Sequence, residues 1–262
     1  IPGLKEVHAV DAAGVHPLLL AIGSERYTPY FTTKQPAEIL TIANHILGTG
    51  QLSLAKFVFI TADDTNQLST HHVQAYFEYI LSRLDLGNDI HFYTKTTMDT
   101  LDYSGEGLNE GSKVVMAAYG DPKRTLCETV PSLISNHLEN ATCVMPGVIA
   151  INAQNNSISS IQEKLKGLGD ALLNQEGVFM LVITEDATWM AANIQNFLWA
   201  GFTRVNPSHD IDGVDAFVEH KHWGCQGPMI FDATIKKHHA PPVLKDATVE
   251  KRVDALLAKY GY

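Results

Sequence analysis

The sequence predicts an α/β fold: mixed, largely parallel sheets with flanking helices, arranged as two related β-α-β-α-β-β halves and followed by a C-terminal helix. Three observations carry the prediction. Short continuous apolar runs, LLLAIG after Pro17 and FVFIT from Phe57, read as buried strands and alternate with longer stretches of helical period. A second set of such segments repeats the order of the first. The chain then ends on an amphipathic stretch behind a pair of prolines.

Taken in order, His16-Pro17 opens the strand LLLAIG. Gln35 to Gly48 reads as a helix with Ile39, Ile42, Ala43, Ile46 and Leu47 on one face, Pro36 near its start and Gly48 as its C-cap. Phe57 to Thr61 is a second strand, and Asp63 and Asp64 follow it. Those two acids sit where ligands bind in open α/β sheets, or they start the next helix. Thr70 to Leu84 is that helix, with Val73, Phe77, Ile80, Leu81 and Leu84 facing a core. Strands at Ile90 to Tyr93 and Val114 to Ala118 complete the first half.

The second half matches it segment by segment. Pro17 to Ile22 has a counterpart in Pro146 to Ile151, and Phe57 to Thr61 in Met180 to Thr184, each with an acid two residues on, at Asp63 and Asp186. Gln74, Tyr76, Arg83, Asp89 and Ile90 correspond without a gap to Gln195, Phe197, Arg204, Asp210 and Ile211. Gly111 to Ala117 pairs with Gly227 to Ala233. The expected division is a first α/β unit over residues 1–120, a connector over 121–145, a degenerate second copy over 146–240, and a proline segment with a terminal helix over 241–262.

Composition fits an ordered enzyme domain. Of 262 residues, 45% are hydrophobic and 18% charged, which argues against disorder. A net charge of −10 argues against nucleic acid or an anionic membrane surface as partner. No apolar run approaches the roughly 18 residues of a membrane helix. Cys127, Cys143 and Cys225 lack metal-ligand spacing and cannot all pair, so a reducing cytoplasm is the expected compartment and each thiol a small buried hydrophobe. No P-loop, G-x-S-x-G, H-E-x-x-H or dinucleotide fingerprint is present. The pair Glu106 and Glu110 reads as solvated.

The stretch LDYSGEGLNEGSKVVMAA, residues 101–118, concentrates the chemistry. Asp102-Tyr103-Ser104 leads into a turn holding Gly105, Gly107 and Gly111, and Ser112-Lys113 precedes the apolar run. Glycines allow close backbone approach to a ligand, and a lysine at the exit can neutralise a phosphate or carboxylate. In the second copy Gly227 remains while Met229 stands at the place matched to Lys113, so the fold does not demand the charge. Gly111, Ser112 and Lys113 are therefore the candidate ligand-binding residues, cofactor-binding by the resemblance given next; no catalytic or metal-binding residue is assigned.

KFVFITADD at 56–64, a helix ending near Arg83, Asp89-Ile90, LDYSG and GSKVVMAA follow one another as in the C-terminal part of UbiD-type decarboxylases. The chain thus resembles the 3-octaprenyl-4-hydroxybenzoate carboxy-lyase family from about Val7 to Ala118. FDATIKKHHAPPVLKDATVEKRVDAL is similar to that family's D-A-T segment and terminal helix. Met116 departs from the pattern, since the D-A-T aspartate occurs only as Asp232 in the second copy.

The resemblance implies a part of a prenylated-FMN-dependent decarboxylase acting on an aromatic or α,β-unsaturated acid. In such enzymes the flavin supplies the electron sink, while protein groups orient the acid and return a proton. It further implies that Lys113 reaches the cofactor phosphate. The flavin domain would lie upstream in the same polypeptide, with any divalent metal bound there and outside this chain. That the sequence opens on Ile1 without a signal-like segment agrees with this expectation. By itself the chain would be inactive.

Three histidine pairs, His71-His72, His220-x-His222 and His238-His239, could attract a metal, and in a strand His220 and His222 would share one face. Nothing in the spacing completes a ligand set. Ala240-Pro241-Pro242 reads as an extended linker. Beyond it Val249, Val253, Leu256 and Leu257 line a helix that packs on a neighbouring protomer or folds back. The resemblance favours a homo-oligomer.

Overall fold

The computed structural model describes residues 1–26, 34–241, 244 and 246–261. Pro242 of the expected linker and the terminal Tyr262 lie outside the described residues.

The first half contains β1 (Glu6–Ala9), β2 (Leu18–Gly23), α1 (Glu38–Leu47), β3 (Phe57–Ala62), α2 (Val73–Leu81), β4 (Ile90–Thr97) and β5 (Glu110–Ala118). Next come α3 (Ser132–Ser135), β6 (Ala141–Met145), β7 (Val148–Asn152), α4 (Ile158–Lys164), β8 (Met180–Thr184), α5 (Ala187–Ala191) and α6 (Ile194–Thr203). The chain continues through α7 (Pro207–Asp210), β9 (Ile211–Gly213), β10 (Ala216–Glu219), β11 (His222–Cys225), β12 (Met229–Asp232) and α8 (Ala247–Lys259).

Two five-stranded sheets result, in the orders β1-β2-β3-β5-β4 and β6-β7-β8-β12-β9. Their directions also agree. Each has three central parallel strands and an antiparallel strand at either edge. The fold is the mixed α/β class read from the sequence.

Alternation along each strand sorts side chains between two faces. Leu18, Leu20, Phe57 and Phe59 of the first sheet and Val148, Val182 and Phe231 of the second face one common core. α2 and α6 lie within that core, contributing Tyr76, Phe77, Phe197 and Phe202. Leu19, Ala21, Val58 and Ile60 point the other way, onto α1. Ile149, Ile151 and Leu181 do the same toward α3 and α4. The layers therefore run helix, sheet, paired helices, sheet, helix.

Several expectations need correction. Each half opens with an additional antiparallel strand, β1 or β6, and β6 lies inside the stretch expected to be a connector. Both are short and only half-buried, so their apolar pattern is weak. The helix expected from Thr70 begins at Val73, because Ser69 and Thr70 instead donate to the Glu6 carboxylate at 2.8 Å each. α1 spans Glu38–Leu47 rather than 35–48; Gly48 caps it, its N–H reaching the Asn44 carbonyl, yet at φ −103° it is not left-handed.

The strand before the glycine turn runs to Thr97, and the one after it starts at Glu110. Gly111, Ser112 and Lys113 are consequently ladder residues of β5, with Gly111 opposite Thr96 and Lys113 opposite Tyr93. The register expected between the two halves also shifts by one. Val114 pairs with Phe57 as Met229 pairs with Met180, so Pro228, not Met229, occupies the place of Lys113. Asp232 likewise corresponds to Ala117 rather than to Met116. A one-residue slip in a strand reverses the face on which a side chain lies.

The second half interposes the β10–β11 hairpin between β9 and β12. His220 and Lys221 form its two-residue turn, both at positive φ (48° and 67°). The hairpin reaches across to the first half: the Cys225 N–H donates to the Leu86 carbonyl at 3.1 Å. A Cβ on Gly224 would stand 3.0 Å from the Gly87 backbone, so this approach requires glycine.

Candidate functional site

Lys113 is almost completely buried, and its ammonium donates to the Ser53 carbonyl in the 3-10 turn Gly50–Leu54. Burial pulls its pKa below the ordinary lysine range. Ser112 is equally enclosed. Its N–H and hydroxyl both donate to the Asn206 side chain, and its hydroxyl accepts the Ser208 N–H at 2.8 Å. Gly111 lies against Met98, whose sulfur would be 1.6 Å from an added Cβ. As arranged, the side chains of Ser112 and Lys113 do not stand free: both hydrogen-bond within the chain. The segment instead ties β5 to α7 of the second half.

The polar centre between the halves is Lys56, the first residue of KFVFITADD, for which no role is expected from the sequence. Lys56, immediately before β3, is 1% exposed and pairs at 2.9 Å with Asp102, itself 5% exposed. The same ammonium donates to Ser104 Oγ at 2.8 Å and to the Thr203 carbonyl at the end of α6. Asp102 also accepts the N–H and hydroxyl of Ser104, at 2.9 and 2.6 Å. Burial lowers the pKa of Lys56, and the Asp102 carboxylate opposes that shift. Thus the L-D-x-S turn acts within the chain, neutralising a cation placed between the halves.

Around this pair the segment after β12 folds inward. His238 Nε2 contacts the Ser104 carbonyl at 3.2 Å, and Lys236 bridges Asp210 at 3.3 Å and Asp232 at 3.7 Å. Burial lowers the His239 pKa to about 4, so that ring is neutral near neutrality. A lysine directly abutting a continuous apolar strand was the available signal for Lys56. Its partners lie 46 and 147 residues away, beyond the reach of a local pattern.

Asp63 serves the turn after β3. Its carboxylate accepts the Thr65 N–H, the Thr65 hydroxyl and the Leu68 N–H at 2.7–2.8 Å, while Asp64 takes the Lys34 ammonium at 2.8 Å. The positions matched between the halves share local roles. Arg83 Nε donates to the Gly120 carbonyl at 3.0 Å, and Arg204 Nη1 to the Ala233 carbonyl at 3.2 Å, each just beyond the strand its half shares with β3 or β8. Asp89 accepts the Asp85 N–H and Asp210 the Asn206 N–H, at 2.8 and 2.7 Å.

Asp89 is 5% exposed, and burial lifts its pKa to about 7. Against the ~3.9 of a free aspartate, its protonated form stabilises the fold fully below about pH 4, and that contribution disappears as pH rises through about 7. Asp89→Asn keeps an acceptor for the Asp85 N–H without a charge. At pH 8 it is expected to be about 2–3 kcal/mol more stable than the parent, with near equality at pH 4. Urea unfolding across this range checks it; parallel pH profiles would contradict the assignment.

Of the three histidine pairs, His238 and His239 make ring contact, edge to face with centroids 4.8 Å apart. His220 lies in the hairpin turn with its side chain 92% exposed, so it does not share a strand face with His222. Among the described residues no group of three or more His, Cys, Asp or Glu side chains could hold a metal. All three thiols are free; burial raises Cys127 to about 11 and Cys225 to about 12, which keeps them protonated and unreactive. Among the described residues no helix is long and apolar enough to cross a membrane.

Residues 1–118 match the family model of the 3-octaprenyl-4-hydroxybenzoate carboxy-lyase C-terminal domain. A protein of Chlamydia caviae described as uncharacterized is 30% identical over 97% of this chain and 41% of its own length. A Chlamydia pneumoniae protein, named as one of the subunits of 4-hydroxybenzoate decarboxylase, is 26% identical over 97% of the chain and 40% of its own length. The chain thus spans about two fifths of the curated relatives it matches. Among solved structures, the vanillic acid decarboxylase of Sedimentibacter hydroxybenzoicus covers 52% of this chain at 16% identity with a TM-score of 0.38, the match taking in 27% of that chain. A UbiD-class enzyme from Pelotomaculum thermopropionicum in complex with FMN covers 45% at 17% identity and TM-score 0.35, with 24% of its own chain matched. β1 to β5 lie inside the matched region, so the first half of the chain is similar to the C-terminal domain of the 3-octaprenyl-4-hydroxybenzoate carboxy-lyase, or UbiD, family.

Proposed function

We propose that this chain is the C-terminal portion of a UbiD-like decarboxylase that uses prenylated FMN to remove CO₂ from, or add it to, an aromatic or α,β-unsaturated carboxylic acid. The family match over residues 1–118 carries the reading. The chain's share of about two fifths of its relatives leaves most of their length for an upstream flavin domain. Within this reading Gly111, Ser112 and Lys113 support the cofactor side by locking β5 and the turn before it onto the second half. A direct phosphate contact would require the Lys113 ammonium to leave Ser53.

A second role, assembly, rests on α8. Each of its residues is exposed, including Val249, Val253, Leu256 and Leu257 on its apolar side. The proposed partner is a second copy of the chain in a homo-oligomer.

Both roles are tested on the full-length polypeptide, upstream segment included. Prenylated FMN should bind it and support decarboxylation, while the 262-residue chain alone should give no turnover. Lys113→Ala should lower the melting temperature yet change flavin affinity by less than about threefold, a shift worth under ~0.7 kcal/mol. A large affinity loss at unchanged melting temperature would restore the direct contact. Removing residues 246–262 should reduce the oligomeric state and spare flavin binding. Turnover by the isolated chain, or a full-length protein that ignores prenylated FMN, would sink the enzymatic reading.

A further inference from the structure

Where the β10–β11 hairpin meets β4, two histidines from different halves come together. His91 lies on β4 and His222 opens β11. Their ring centroids are 5.4 Å apart and the planes are tilted by 57°. The Nε2 atom of each is shut off from solvent and has no hydrogen-bond partner. A buried polar atom left unpaired costs about 1–3 kcal/mol, and two on neighbouring rings invite a shared occupant.

Both rings line a cavity of about 400 Å³, together with Phe92, Thr94, Ser208 and Asp212. Imidazole nitrogens bind zinc at about 2.0–2.1 Å, and two rings on one tetrahedral ion have centroids about 5 Å apart. The observed spacing meets that requirement. The tilt removes the face-to-face overlap that a simple stacked pair would show. A site with neutral nitrogen donors selects zinc, nickel or copper over magnesium or calcium, which prefer oxygen.

We propose that His91 and His222 form a two-imidazole site for a divalent transition-metal ion, closing the hairpin onto β4. No third His, Cys, Asp or Glu joins them in a ligand cluster among the described residues. The remaining coordination positions would be filled by water or a small exogenous ligand. With two protein donors the affinity is modest, and the ion clamps the halves where backbone contact is already close. The inference is independent of the decarboxylase reading.

The test is equilibrium dialysis of the metal-stripped chain against Zn²⁺ and Ni²⁺, for the parent and for His91→Gln, His222→Gln and His220→Gln. One equivalent should bind at micromolar concentration, weaken about tenfold or more in each of the first two variants and persist in the third. In the parent, the ¹⁵N resonances of the His91 and His222 Nε2 atoms should shift on metal addition, a readout that needs no variant. Binding untouched by both substitutions would move the ion to surface histidines and overturn the proposal. So would absence of saturable binding, which would leave a buried water between the rings.

Discussion

Replacing Asp102 by alanine is expected to destabilise the chain by about 3–5 kcal/mol, the penalty for leaving a buried cation without its counter-charge. Lys56 would retain neutral hydrogen-bond partners, Ser104 Oγ and the Thr203 carbonyl, with Asp210 acting on it only at longer range. Ser104 would itself lose the carboxylate that holds its N–H and hydroxyl, so the turn would loosen with the pair. A double substitution separates this cause from simple loss of contacts. The penalty arises from the stranded charge, so Lys56→Met combined with Asp102→Ala should cost less than Asp102→Ala alone. Urea unfolding of the three variants decides it. Simple additivity, or a loss below about 1 kcal/mol for Asp102→Ala, would show that water reaches Lys56.

Phe202→Ala is expected to cost about 3–5 kcal/mol as well, by a different route. This ring, fully buried on α6, lies 5.0 Å from Phe57, 6.0 Å from Phe59 and Phe77, and 5.6 Å from Phe197, centroid to centroid. Three of those neighbours belong to the first half, so truncation opens a void at the seam of both sheets. The melting temperature should fall while unfolding remains a single transition, because neither sheet keeps a complete inner face alone. Calorimetry resolving two separate transitions in the parent chain would contradict the common core.

The central strands were legible because their signal is local. LLLAIG and FVFIT are continuous apolar runs, and both form as parallel strands. Arg83 with Arg204 and Asp89 with Asp210 were also visible as matched positions, and the structure shows each pair making equivalent backbone hydrogen bonds. The edges were not legible, since a four-residue half-buried strand such as β1 has too few turns of its pleat to declare a period.

The register error between Met229 and Lys113 has a related origin. Both halves offer apolar residues at adjacent positions, and the faces are distinguished only by the ladder partners Phe57 and Met180. Lysines posed the harder problem. Lys113 stood out for its glycine neighbours and Lys56 did not, yet both are buried, and only Lys56 meets a carboxylate. Such a distinction depends on where α6 and the loop of residues 98–109 settle. His91 and His222, separated by an entire half of the chain, lay beyond sequence spacing for the same reason.

α8 has a consequence for how this protein would respond to dilution. It has 13 residues, with an Asp246 N-cap whose side chain accepts the Thr248 and Val249 N–H groups. A helix of about that length is marginal in water when nothing covers it. The cap lowers the cost of starting the first turn without supplying a surface for Leu256 and Leu257. Under the proposed pairing with a second copy, order in the last turns depends on that neighbour, and helix content becomes coupled to protein concentration through mass action. On that proposal the C-terminal segment would be ordered in the assembled state and fray in the dispersed one, open to proteolytic trimming when copies are scarce.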